Sequence, residues 1–192
     1  MSSYEIVNIF DMLDMIGEES LQSDLSCFSC EKNMEIENFV RFKAIDFAKR
    51  KSSITYLVID EEGSILGIFT LTHKVISIVS PKLGKSAADR LKRYSQYDSE
   101  KDTYTISAFL IAQFGKNYAV TDNRLSGNEL MDCALGTLKS IQRSIGGGVV
   151  YLECEENIPK LREFYTNEHN RYIAFGRRES TDVNYLQLFR LL

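Results

Sequence analysis

The chain has 192 residues, 44% hydrophobic and 26% charged, with a formal net charge of −4. That length suits one domain or two very small ones, and the apolar content can supply a true core. The acidic balance argues against broad wrapping of nucleic acid, which needs many lysines and arginines on one face, but leaves room for a local basic patch.

Met1 to Ile6 lacks the charged and apolar blocks of a signal peptide. No apolar run is long enough to span a bilayer, so a cytoplasmic location is expected. Cys27, Cys30, Cys133 and Cys154 are then expected as reduced thiols.

Residues 4–9 form a short apolar run, expected as a first strand. A helix is expected over 11–16 with Asp11 as N-cap. Ile36, Phe39, Val40, Ala44, Phe47 and Ala48 recur at helical spacing, with Lys43, Lys49 and Arg50 as solvated charges among them. The pattern predicts one amphipathic helix. Residues 54–60 are apolar and β-branched and read as a strand; Glu61-Glu62-Gly63-Ser64 is a turn, and 65–71 the return strand of a hairpin. Over 81–97, Leu83, Ala87, Leu91 and Tyr94 fall near helical spacing among Lys82, Lys85, Arg90, Lys92 and Arg93. A short surface helix from Pro81 is expected there.

The nearly continuous apolar run 103–114 is the strongest central-strand candidate. After a loop, Leu130, Met131, Ala134, Leu135, Leu138, Ile141 and Ile145 mark the buried stripe of a helix over 126–143, ended by Gly146-Gly147-Gly148. Residues 149–152 read as a strand, 159–165 as a short helix with Pro159 near its start, and 171–177 and 184–191 as two final strands. This order predicts one α/β domain over 1–192, a mixed sheet with helices on both faces.

The informative stretch is 109–130, where a central strand runs into a loop that opens a long helix. Helix N-termini present unpaired N–H groups and a positive dipole end, which suit phosphate. Gly127 lets a ligand approach the backbone closely, and Arg124 supplies a cation that can pair with phosphate. Ser126 as N-cap with Glu129 three residues on is also a capping box, which needs no ligand. The two readings are compatible, since capping leaves other amides.

This strand, loop and helix resemble the pyrophosphate-binding signature of the GNAT N-acetyltransferase superfamily, Arg/Gln-x-x-Gly-x-Gly/Ala. Arg124 and Gly127 match it; Glu129 stands where the family prefers a small residue. Further on, Val149-Val150-Tyr151-Leu152-Glu153-Cys154 is similar to the strand after the cofactor helix, and Leu161-Arg162-Glu163-Phe164-Tyr165 to the short helix ending in Phe-Tyr. The Gly-Phe that usually follows is replaced by Asn167-Glu168-His169-Asn170-Arg171-Tyr172. Upstream, Ile65 to Leu71 is similar to the family strand with a small residue after two apolar ones. The Phe28 and Cys30 region with the helix after it is similar to GNAT enzymes related to bacterial toxin acetyltransferases. The resemblance covers the whole chain, in order.

The resemblance implies a mostly antiparallel central sheet with splayed central strands, and acetyl-CoA as co-substrate. It implies cofactor contacts from Phe114, Gly115 and Lys116 on the strand and from Arg124, Leu125, Ser126, Gly127, Asn128 and Glu129 on the loop and helix start. It also implies Tyr165 as the acid that protonates the departing thiolate; a core aromatic is the other reading of Tyr165. The acceptor would be a small-molecule amine, a peptide, or aminoacyl-tRNA in a toxin-type enzyme with a cognate antitoxin. A domain that binds CoA without turnover is the remaining alternative. Apolar edge strands near the C-terminus would suit a homodimer.

Other signals point elsewhere. Cys27 and Cys30 have zinc-knuckle spacing, but no second pair completes four ligands. His73 and His169 are expected to be incidental. Glu153, Glu155 and Glu156 sit near a strand end and read either as a base or as a solvated acidic loop.

Overall fold

The computed structural model describes residues 4–80 and 83–192. The chain runs β1 (Tyr4–Asn8), α1 (Ile9–Ile16), α2 (Glu18–Ser26), α3 (Met34–Phe42), α4 (Ala44–Lys49), β2 (Ile54–Asp60), β3 (Ile65–Val79) and α5 (Lys85–Leu91). It continues through β4 (Ser95–Asp98), β5 (Thr103–Lys116), α6 (Gly127–Ile145), β6 (Val149–Glu155), α7 (Pro159–Thr166), β7 (Ile173–Arg178) and β8 (Tyr185–Leu191).

The strands form one sheet in the order β1-β2-β3-β5-β6-β8-β7, with β4 paired to β5. The pairs β1–β2, β2–β3, β4–β5, β6–β8 and β7–β8 are antiparallel. β5 and β6 run parallel, with Phe109 opposite Val150 and Leu110 opposite Tyr151. Their register comprises those two pairs, although β5 runs on to Lys116. The mixed, mostly antiparallel α/β architecture agrees with the sequence expectation.

Several local expectations are corrected. Asn8, not Asp11, caps α1: its Oδ1 accepts from the Phe10 N–H at 2.9 Å. Helix α2 carried no clear sequence signal; it begins after Gly17, whose φ of 78° breaks it from α1. The amphipathic segment after Met34 is two helices, broken at Lys43, whose backbone leaves the helical region. The surface helix begins at Lys85; Pro81 and Lys82 lie outside the described residues. The return strand expected over 65–71 runs on as β3 to Val79, so His73 lies inside it.

By contact density the chain divides into two compact units, residues Met1–Thr72 with Ile111–Ala134, and His73–Leu110 with Leu135–Leu192. The first unit buries Ile9, Leu21, Leu25 and Phe28 with Val40, Leu57 and Ile68. Each such side chain contributes about 1.5–3 kcal/mol when fully buried. Its β2–β3 ladder carries a buried Thr55–Thr70 hydroxyl pair at 2.9 Å, so neither hydroxyl is left without a partner. The second unit packs Ile78, Leu91, Ile106, Tyr151, Phe175 and Phe189. Its triple glycine has a physical reason: Gly146 and Gly147 have φ of 78° and 92°, and a Cβ on Gly148 would stand 2.4 Å from the Tyr94 ring.

Candidate active site

Every cofactor residue implied by the sequence, from Phe114 to Glu129, falls on one strand–loop–helix of the first unit. The loop between β5 and α6 is pinned by two asparagines. Asn117 is buried; its Nδ2 donates to the Ile65 carbonyl at 2.8 Å, and its Oδ1 accepts from the Ser29 and Ala119 amides at 3.0 Å each. Asn123 Nδ2 donates to the Leu66 and Asn117 carbonyls, at 2.7 and 2.9 Å. Lys116 Nζ closes the loop on the Asn123 carbonyl at 2.6 Å. The loop is thus tied to the β2–β3 hairpin through polar groups that would be costly to leave unpaired. The sequence reading missed both asparagines; Asn117 had the signal of a small polar side chain just after a strand, and Asn123 had none beyond its place in a loop.

The start of α6 is a closed capping box. The Ser126 amide donates to Glu129 Oε2 at 2.8 Å, and the Glu129 amide donates to Ser126 Oγ at 3.2 Å. These Ser126 bonds hold the Glu129 carboxyl below the usual carboxylate range, and Lys116 adds attraction. The Leu125 amide donates to Asn123 Oδ1 at 3.1 Å. The amides of Leu125, Ser126 and Glu129 are therefore engaged within the chain. Gly127 opens the helix, and Arg124 is exposed beside it.

The strand itself is closely packed. A Cβ on Gly115 would stand 2.9 Å from Ile36 Cγ2, and one on Gly67 3.2 Å from the Gly115 carbonyl oxygen. Glycine at 115 is therefore required for α3 to lie against β5. Helix α3 is anchored in turn by buried Glu37, which accepts from the Cys30 amide at 2.8 Å and pairs with Arg41 at 3.0 Å. Arg41 Nε donates to the Phe28 carbonyl at 2.7 Å.

A cavity of about 480 Å³ opens within this unit. Glu35, Asn38, Phe39, Lys43 and Phe47 line it from α3 and α4. Ser52, Ser53, Thr72, Ala112 and Gln113 line it from the strands and the turn before β2. Ala112 is exposed in mid-strand between buried Ile111 and half-buried Gln113. The sequence reading counted Phe39 and Phe47 as core and Lys43 as a solvated charge, and did not single out the others; a small residue inside a central apolar run was the one clue.

Tyr165 belongs to the second unit, on α7, and is buried against Tyr172 at 5.8 Å between ring centroids. Burial pushes its phenol well above the usual tyrosine range, and Cys154 adds to the rise. The segment in place of the usual Gly-Phe secures the helix end. Fully buried Asn170 donates from Nδ2 to the Phe164 carbonyl at 2.7 Å, and the Tyr172 amide donates to the Tyr165 carbonyl at 2.9 Å.

Among the described residues no group of His, Cys, Asp and Glu could hold a metal ion. Cys27 is exposed and Cys30 buried, both as free thiols. Glu153 is no solvated loop residue: it lies on β6, accepts from Arg178 Nε at 2.7 Å and from the Tyr151 hydroxyl, and faces Lys74 at 3.7 Å. Burial raises its carboxyl, but Tyr151, Arg178 and Lys74 outweigh that and lower it. Such a carboxylate makes a poor general base. Glu156 is paired with Arg177 at 2.6 Å. No helix is long and apolar enough to cross a membrane among the described residues.

No protein-family model and no curated protein sequence matches the chain. Solved structures do. The chain is similar to AtaT complexed with acetyl-methionyl-tRNAfMet, at 14% identity and a TM-score of 0.65, over 96% of this chain and 94% of that one. It is similar to AtaTR bound with AcCoA, at 16% identity and a TM-score of 0.61, over 100% and 94%. A tyrosine-to-phenylalanine variant of KacT gives 12% identity and a TM-score of 0.66, over 100% and 95%. The chain has the GNAT fold of these structures.

Proposed function

We propose that the chain is an acetyltransferase that moves an acetyl group from acetyl-CoA to a primary amine. The observation that carries this reading is the pinned loop from Lys116 into the capped N-terminus of α6, within a fold shared with an AcCoA-bound structure. In this reading the pyrophosphate meets the Gly127 end of α6, where the dipole and Arg124 both favour negative charge. Glu129 does not repel it, because its carboxylate is turned to the Ser126 amide. Backbone groups of Phe114, Gly115 and Lys116 pair with the pantetheine arm.

The amine nitrogen attacks the thioester carbonyl carbon, with backbone N–H groups stabilising the oxyanion. The C–S bond breaks and the thiolate takes the Tyr165 proton. The nitrogen loses one proton to solvent, which then restores the phenol, leaving an amide and free CoA. Burial raises this phenol and makes it a weaker acid, so the support for Tyr165 is its place at the end of α7 and not its acidity.

Calorimetry with acetyl-CoA tests the binding half. Saturable binding is expected in the wild type, and its loss in Gly127→Leu, whose side chain would obstruct the phosphates. No binding at millimolar acetyl-CoA overturns the reading. Thiol release with an amine panel separates an enzyme from a domain that binds CoA without turnover.

A second reading narrows the acceptor to aminoacyl-tRNA, with a cognate antitoxin as partner. One solved neighbour carries acetyl-methionyl-tRNAfMet, and another is bound to the C-terminus of the antitoxin AtaR. Charge distribution favours it. The first unit has 8 Lys and Arg against 16 Asp and Glu, and the second 15 against 11. The overall acidity therefore conceals a basic unit, which is the requirement of a nucleic-acid partner.

A further inference from the structure

The polar segment after α7, which stands in place of the family's Gly-Phe, keeps the backbone of that pair without its glycine. Arg171 has φ of 55°, in the left-handed region that favours glycine, and the aromatic after it, Tyr172, is buried. Asn167 closes the turn from within, accepting from the Asn170 amide at 2.8 Å.

From outside, the turn is held by Arg190 on β8. Its Nη1 donates to the Asn170 carbonyl at 2.8 Å, and its guanidinium lies 5.7 Å from the centre of the Tyr172 ring. Fully buried Asn170 reaches on to the Phe164 carbonyl, and the Tyr172 amide to the Tyr165 carbonyl. Those two carbonyls belong to the last turn of α7, where a helix leaves such groups without intrahelical partners. A continuous set of hydrogen bonds within the second unit thus joins Arg190 to the backbone that carries Tyr165.

Packing alone favours an apolar residue at 190. Side chains alternate along a strand, so Arg190 shares its face of β8 with buried Leu186 and Leu188, opposite buried Val150 on β6. Its Nε is buried and meets no hydrogen-bond acceptor among the described residues. An apolar side chain of similar volume would remove that cost.

We propose that Arg190 is a positioning residue for Tyr165: it fixes the turn that closes α7 and so sets where the phenol stands against the departing thiolate. Its charge also favours the phenolate that proton transfer leaves behind, acting across Tyr172. Burial drives the Tyr172 phenol well up, and Arg190 pulls it back. The inference rests on the acetyl-transfer reading with Tyr165 as the acid.

Arg190→Met keeps side-chain length on an apolar face. Its urea midpoint should match or exceed that of the wild type, while kcat falls roughly 10-fold and the Michaelis constant for acetyl-CoA holds. Arg190→Lys, which keeps a charge and a donor, should recover part of the loss. On a Tyr165→Phe background Arg190→Met should cost no further turnover, because it acts through the phenol. Full kcat in Arg190→Met, or the same loss with and without the phenol, overturns the proposal. Should Arg190→Met misfold, Arg190→Lys carries the same comparison, with a smaller loss that vanishes on Tyr165→Phe.

Amide hydrogen exchange followed by NMR reads the clamp without turnover. Exchange of the Tyr172 amide should quicken roughly 10-fold in Arg190→Met and less in Arg190→Lys, with the β6 and β8 amides unchanged. Unchanged exchange at Tyr172 overturns the clamp. If amines are acetylated but neither variant alters kcat, the positioning role falls and acetyl transfer stands. If acetyl-CoA does not bind, the acetyl-transfer reading falls, and the exchange rates still judge whether Arg190 holds the end of α7.

Discussion

Glu129 stands where the family resemblance leads one to expect a small residue, and the capping box explains how a carboxylate is accommodated there. Its acceptor capacity is directed at the Ser126 amide, a contact of about 1 kcal/mol in such caps. Tyr165 poses the sharper question, because a buried tyrosine with ordinary ring packing serves a core equally well. Tyr165→Phe keeps the ring and removes one hydroxyl. If the phenol protonates the thiolate, kcat should fall by roughly 10²-fold with the Michaelis constant for acetyl-CoA little changed. Full turnover in the variant would assign Tyr165 to the core alone. The same burial has a second consequence. Tyr151, Tyr165 and Tyr172 all have phenols raised above the usual value, chiefly by desolvation. Unfolded phenols ionise near about pH 10, so above that the unfolded chain releases protons that the folded chain retains. Their contribution to stability is full below that pH and is lost as pH rises. The thermal midpoint should fall from about pH 10 upward, less steeply in Tyr165→Phe; an unchanged slope would mean that this phenol ionises freely in the fold.

Elements meet the candidate site through backbone contacts that only small residues allow. At Gly115 an added methyl would press on Ile36 and displace α3, the helix that carries Glu35 and Phe39. Gly115→Ala should cost about 1–3 kcal/mol, read by urea unfolding. Gly136 offers the contrast: it lies within α6 and a Cβ there would meet nothing within 4 Å. Gly136→Ala should stabilise by about 0.5–1 kcal/mol through backbone entropy. Equal effects at both sites would show that the glycine at 115 is not set by the α3 contact.

At the scale of the whole molecule, net charge is a poor guide to partners because it averages two units of opposite sign. In the basic unit, Lys85, Arg90 and Arg93 lie on or at the end of α5, whereas in the acidic unit Lys49 and Arg50 are already paired. If aminoacyl-tRNA is the acceptor, reversing Arg90 and Arg93 to Glu should lower tRNA affinity about tenfold or more at low salt. Reversing Lys49 and Arg50 should do far less. Filter binding across a salt series checks this, and equal losses from both pairs would contradict a basic-unit footprint.

The order of elements, the strand that runs into the α6 loop, and the Ser126–Glu129 box were legible because each depends on local periodicity or spacing. Element ends were less so: Lys43 breaks a pattern that reads as one helix, and β3 runs on through polar residues to Val79. The cavity was not legible at all. Phe39 and Phe47 have the spacing of core residues, and only the meeting of α3 and α4 with the middle of β5 turns part of that apolar face into a wall. Likewise Glu37 and Asn117 look like surface residues in sequence and are buried hydrogen-bonding anchors in the fold. Periodicity fixes which face of an element is apolar; whether that face is filled or left open depends on what packs against it, and tertiary structure alone decides that.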